Sequence, residues 1–163
     1  MNTETRHPQP EYMLAALAQA QVSLDSGNLP IGAVIVHDCK IIAIGRNSID
    51  SPANDTRHAE LVAIQSLAPF LADHKRECTI YTTLEPCMMC LGAIINVGIN
   101  SIVIGASDSH VGAINLLQFG EYYREKSKSL RITSGYMAED CQALLDQYVR
   151  FTGLRNHLSK SAA

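Results

Sequence analysis

The chain has 163 residues, 47% of them hydrophobic, which is enough to bury one good core and suits a single domain spanning residues 1–163, its ordered core at about 11–152. A net charge of −3 at pH 7, with a pI near 6.0, excludes the overall positive field with which generic nucleic-acid binders gather phosphates. The first ten residues are polar, with His7, Pro8 and Pro10 among them, and offer no apolar run for a signal peptide or membrane span, so the expected location is cytoplasmic.

In chain order, a first helix is predicted from Glu11 to about Ser26, where Met13, Leu14, Leu17, Ala18, Val22 and Leu24 keep mostly helical spacing and Gly27-Asn28 tolerates a left-handed end. Ile31–Val36 and Ile41–Ile44 are β-branched runs separated by His37-Asp38-Cys39-Lys40, an antiparallel hairpin. A polar loop from Gly45 to Asp55 leads to a second helix over Arg57–Leu71, with Asp55 or Thr56 as its cap and Pro69 disturbing its end. Asp73 to Glu77 reads as a solvated loop and Thr79–Thr82 as a third strand. Pro86 suits a first helical position, and the helix it opens carries Cys87, Cys90, Ala93, Ile94 and Val97 before Gly98 stops it. Then come a strand at Ser101–Gly105, a loop from Ala106 to Gly112, a helix from Ile114 to about Glu125, a strand at Leu130–Thr133 and a closing helix from Ala138 to about Phe151. A helix between the fourth and fifth strands makes that pair parallel, so the fold class is α/β.

Five cysteines is an odd count, and in a reducing compartment Cys87-Met88-Met89-Cys90 reads as metal-binding or redox before it reads as a disulfide. Cys39, Cys78 and Cys141 then behave as small apolar residues. On a helix, Cys87 and Cys90 project from one face, and in its first turn the free N–H groups and the dipole favour thiolates. Upstream stands His58-Ala59-Glu60. His58 and Glu60 lie roughly 200° apart around a helix, so they meet one metal only by flanking a helix start. Two thiolates and an imidazole suit zinc, one ion per chain, and three protein ligands keep a fourth position open for water. Such a site is formally neutral, its water less acidified than in a three-His site, and Glu60 is needed to move the proton.

By itself the C-x-x-C also fits a redox pair or half of a structural zinc knuckle, but no second pair of cysteines supplies a fourth ligand. His37, His74 and His157 lie in polar or terminal contexts and read as surface residues. His110 follows the fourth strand, at an end where open α/β sheets place ligands, and reads equally as loop or site lining.

At these residues the chain resembles the cytidine-deaminase-like superfamily of zinc-dependent deaminases, in its branch of tRNA adenosine deaminases, guanine deaminases and fungal-type cytosine deaminases. The resemblance covers about Glu11 to Val149 and rests on Pro30-Ile31-Gly32-Ala33-Val34, Asn47, His58-Ala59-Glu60 and the run from Tyr81 to Ala93. It implies a three-layer α-β-α fold with a five-stranded mixed sheet, zinc on His58, Cys87 and Cys90, Glu60 as proton shuttle and Asn47 hydrogen-bonded to substrate. It also implies a pocket lined by Ile31, by backbone of Ala59 and of Thr83-Leu84-Glu85, and a homodimer.

Within that branch, Gly105-Ala106-Ser107-Asp108 and Gly112-Ala113 look like the loop of the tRNA enzymes. The departures fall where those enzymes meet RNA: Ser48 follows Asn47 where an Arg is common, Arg57 precedes His58 where a small Ala is usual, and Ile114-Asn115 replaces a Gly-Ser pair. The reading is therefore a hydrolytic deaminase of a free nucleobase or nucleoside, with anticodon adenosine in tRNA as the alternative. A third reading, a catalytically silent zinc-binding partner subunit, has no use for Glu60.

Overall fold

In the computed structural model, which describes residues 7–49 and 53–152, α1 (Pro10–Asp25) leads into the hairpin of β1 (Gly32–His37) and β2 (Lys40–Arg46). α2 (Ala59–Ser66) and α3 (Ala68–His74) follow, then β3 (Thr79–Leu84), α4 (Met88–Val97), β4 (Ser101–Ala106), α5 (Glu121–Ser127), β5 (Arg131–Thr133) and α6 (Ala138–Thr152). The five strands form one mixed sheet in the order β2-β1-β3-β4-β5, antiparallel across β1 and parallel from β3 to β5. The expected parallel pair β4–β5 is present, with β3–β4 a second one because α4 crosses between them.

Period-two alternation divides the strand residues between two faces. Val34, Val36, Tyr81 and Val103 pack with Met13 and Ala16 of α1 and with Cys141 and Leu145 of α6. Ile35, Ile80, Ile102 and Ile104 pack with Ala63 and Ile64 of α2, Leu71 of α3 and Leu91, Ile94 and Ile95 of α4. The result is the three-layer α-β-α arrangement. No helix among the described residues is long and apolar enough to cross a membrane.

Five local expectations are corrected. The single helix expected over Arg57–Leu71 is two, parted at Leu67 (φ −120°, ψ 11°), because Pro69 lacks an N–H and is tolerated only in the first turn of a new helix. Its cap is His58 rather than Asp55 or Thr56. The loop expected from Asp73 to Glu77 is the end of α3 and a 3₁₀ turn over Lys75–Glu77. The helix expected over Ile114–Glu125 is a 3₁₀ turn (Ile114–Gln118) and α5, separated at Gly120, whose φ of 81° no helix accommodates. Pro86 stands outside α4, its carbonyl accepting a hydrogen bond from Ala113 N at 3.0 Å, and Cys87 is the cap.

Gly45 on β2 has no room for a side chain: a Cβ there meets the Ala59 carbonyl oxygen and the Ala63 nitrogen. β2 thus lies directly against the first turn of α2, which fixes where that helix begins.

Candidate active site

The parallel strands β3 and β4 end at Leu84 and Ala106, and the start of α4 follows from the first of them, within reach of the start of α2. His58 caps α2 with extended backbone (φ −73°, ψ 151°) and is half-buried. Cys87 caps α4 in the same manner (φ −69°, ψ 171°), tied by a β-bridge to Gly112, and Cys90 is fully buried one turn on. His58 Nδ1 stands 3.6 Å from Cys87 Sγ and 3.5 Å from Cys90 Sγ. A tetrahedral ion with Zn–S about 2.3 Å and Zn–N about 2.0–2.1 Å puts nitrogen and sulfur about 3.6 Å apart, so the donor set fits such an ion.

Electrostatics agree with that chemistry. The Cys90 thiol donates to Cys87 and, with lesser help from the Cys90 N–H and the His58 ring, holds Cys87 down to about 4. The same sharing raises Cys90, and burial adds to it. Cys87 in turn raises His58. A divalent cation held by His58, Cys87 and Cys90 would replace the shared protons and take both sulfurs as thiolates.

Glu60, in the first turn of α2, is 3% exposed, and burial pushes its carboxyl up. Its Oε1 accepts a hydrogen bond from Thr82 Oγ1 at 3.0 Å, and its carboxylate also meets the Cys90 thiol. The proton carrier expected from sequence therefore adjoins a sulfur of the donor set.

Asn47 is buried at the end of β2, its N–H donating to Ile31 O at 2.9 Å and its carbonyl accepting from Ser23 Oγ at 2.6 Å. Ala59 is fully buried and Ile31 nearly so. Glu85 is turned to the neighbouring loop, where its two oxygens accept from Asp108 N and Ile114 N, each at 3.2 Å. His110 is an exposed residue of that loop, and its N–H donates to Asp108 Oδ1 at 2.9 Å. The structure thus brings His58, Cys87, Cys90 and Glu60 together, gives the Glu85 carboxylate a loop-holding role and leaves the His110 side chain at the surface.

Two residues escape sequence reasoning. Thr82 reads as one more β-former in its strand, and only its full burial beside Glu60 marks it. Asp108 reads as loop polarity, yet it is 4% exposed and accepts from two successive backbone groups, His110 N and Val111 N.

The MafB19-like deaminase family matches residues 8–138. The chain belongs to that family. This deaminase is 36% identical over 140 residues to the tRNA-specific adenosine deaminase of Buchnera aphidicola subsp. Schizaphis graminum, a match covering 85% of this chain and 92% of that one. It is 41% identical over 103 residues to the chloroplastic tRNA(adenine(34)) deaminase of Arabidopsis thaliana, which covers 63% of this chain but 8% of the far longer plant protein. Among solved structures it is similar to one from work on A-to-I editing by tRNA:A34 deaminases at the wobble position, with a TM-score of 0.72 and 28% identity over 84% of this chain and all of that one. The fold is also that of the guanine deaminase of Nitrosomonas europaea, with a TM-score of 0.69 and 23% identity over 87% and 85% of the two chains. The deaminase is a hydrolytic enzyme of the cytidine-deaminase-like superfamily, in the branch that holds tRNA adenosine deaminases.

Proposed function

We propose that the chain is a zinc-dependent deaminase of a free nucleobase or nucleoside, replacing the exocyclic amino group on an amidine carbon of the ring by oxygen from water and releasing ammonia. His58, Cys87 and Cys90 would hold one zinc ion. When bound, that ion supplies a Lewis acid able to make water nucleophilic near neutral pH. Glu60 takes a proton from the attacking water and delivers it to the departing amine, a role its buried, upward-shifted carboxyl suits. Asn47 holds the ring edge, with Ile31 and Ala59 beside it.

One observation carries the choice of a small substrate. The segments that frame the site, residues 28–32, 45–49, 53–58, 84–88 and 106–114, hold two cations, Arg46 and Arg57, of the ten Lys and Arg among the described residues. Arg57 Nε is already engaged by Ser48 Oγ at 2.8 Å. RNA binding rests on several phosphate contacts whose sum weakens with salt, and these segments offer few.

A second reading is favoured by the names of relatives that match most of this chain: adenosine in a tRNA anticodon, with the same chemistry on an extruded base. Ammonia release from cytosine, adenine, guanine and their nucleosides, run beside inosine formation in an anticodon stem-loop, separates the two. Turnover of the stem-loop alone refutes the first reading. We further propose a cytoplasmic homodimer, in support of which Met88, Met89, Phe119 and Tyr122 leave apolar surface exposed near the starts of α4 and α5. Sedimentation at micromolar concentration tests it.

A further inference from the structure

At the opposite end of the sheet from His58, β1 closes with His37, and Glu77 stands two residues before β3. We propose that His37, His74 and Glu77 form a second divalent-metal site, one that takes a zinc-type cation. The three side chains come from three elements: the end of β1, the last turn of α3 and the 3₁₀ turn that follows it. One carboxylate oxygen, Glu77 Oε2, faces both imidazoles, 2.9 Å from His37 Nε2 and 3.6 Å from His74 Nδ1. All three donor atoms lie within 4.8 Å of one another.

Both rings are held from behind. Phe70 meets His37 edge-on at 5.1 Å and stacks on His74 at 4.5 Å, while the two imidazoles stand 5.2 Å apart, centre to centre. A plain surface ion pair needs one imidazole, contributes little in water and has no requirement for a second ring steered onto the same oxygen. Two imidazoles and one carboxylate select zinc, nickel or copper over magnesium and calcium, which prefer all-oxygen sites. Glu77 is 66% and His74 45% exposed, so water completes the coordination and the ion enters without opening the fold. Bound there, it ties the end of β1 to the end of α3 and the 3₁₀ turn after it.

Full-length protein carrying one zinc equivalent is titrated with zinc chloride by calorimetry and against a chromophoric chelator. The expected result is a second equivalent in the unaltered protein. Glu77→Gln and His74→Gln each weaken it by about tenfold or more, the scale on which even outer-shell partners of metal ligands act. Both variants keep the first equivalent and the rate of ammonia release. The proposal is overturned if the unaltered protein takes up one equivalent only, or if the second survives in the double variant. It is also overturned if the second equivalent is lost in Cys39→Ser and not in Glu77→Gln, which would assign it to the adjoining cleft lined by His7, Asp38, Cys39 and Glu77.

Discussion

Replacing Thr82 by valine removes one hydroxyl from a fully buried position while keeping the shape of the side chain, and the geometry says what that hydroxyl does. Oγ1 stands 3.0 Å from Glu60 Oε1 and 3.1 Å from the Leu84 carbonyl oxygen, and its single proton serves one of them at a time. With Glu60 ionised, the hydroxyl donates to the carboxylate. With Glu60 protonated, the hydroxyl turns to Leu84 and its oxygen accepts the carboxyl proton. Both states are bonded, but unequally: about 1.5–3 kcal/mol for a bond to a charged group against about 0.5–1.5 for a neutral one. The difference, about 1–1.5 kcal/mol, corresponds to about one pH unit. Thr82 lowers the Glu60 carboxyl against the upward push of burial, so its loss makes the ionised, proton-accepting form appear at higher pH. The acid limb of the pH profile of kcat/KM therefore moves up by about one unit in Thr82→Val, and stays in place in Thr82→Ser. The assay is ammonia release between pH 5 and pH 9 for the three proteins. A Thr82→Val limb coincident with the original, or an equal displacement in Thr82→Ser, refutes the reasoning.

Glu60→Gln keeps the metal and lowers turnover by about 10²–10⁴, read by metal analysis beside ammonia release. An active Glu60→Gln protein removes the proposed proton carrier. Cys87→Ala loses the metal of this site, and because site formation is linked to folding its melting temperature rises less on addition of zinc than that of the unaltered protein. Gly45→Ala forces β2 and the first turn of α2 apart, a steric cost of about 1–3 kcal/mol seen as a lower Tm together with weaker metal retention. Burial pushes the Cys78 and Cys141 thiols up to about 11, while Cys39 is exposed, so a thiol reagent applied to metal-loaded protein at pH 8 labels Cys39 first, as peptide mapping checks.

Much of this was legible in the sequence because it depends on spacing. Cys87 and Cys90 are one helical turn apart whatever else happens, and the two-residue step from His58 to Glu60 fits one site only across a helix start, which is where α2 begins. The strands were equally plain, since a sheet covered on both faces makes a strand a near-continuous apolar run, as β1 and β4 are apart from His37 and Ser101 at their ends. The misreadings were of another kind. Leu67 and Gly120 interrupt helices whose apolar pattern continues past them, so the break is a backbone event that hydrophobic periodicity does not register. Glu85 lies within the motif, where its backbone is expected to line the pocket, and its carboxylate holds the loop after β4, a partnership across 23 residues to Asp108 whose far end no local pattern encodes. His37 and His74 read as surface residues, and their contact went unseen for the same reason: it joins the end of β1 to the end of α3, 37 positions on.

The assembly of the site follows from two helix beginnings rather than from any loop. α2 and α4 start at the same edge of the sheet, each capped by a residue of the donor set, so two positive helix ends face two sulfurs and a carboxylate. Dipoles alone would favour charge on all three anionic groups. Burial opposes it, and Glu60 is the group for which burial wins, its carboxyl pushed up although it stands in the first turn of α2. Cys87 adds to that push by direct repulsion, which a cation shared between the sulfurs offsets. Once both thiolates and the imidazole are committed to a cation, Glu60 is the remaining group of the four whose proton is free to move, and Thr82 bonds it in either state. The proposed division of labour between a fixed donor set and one mobile proton would therefore be set by where two helices begin and by how deeply the second residue of α2 is buried.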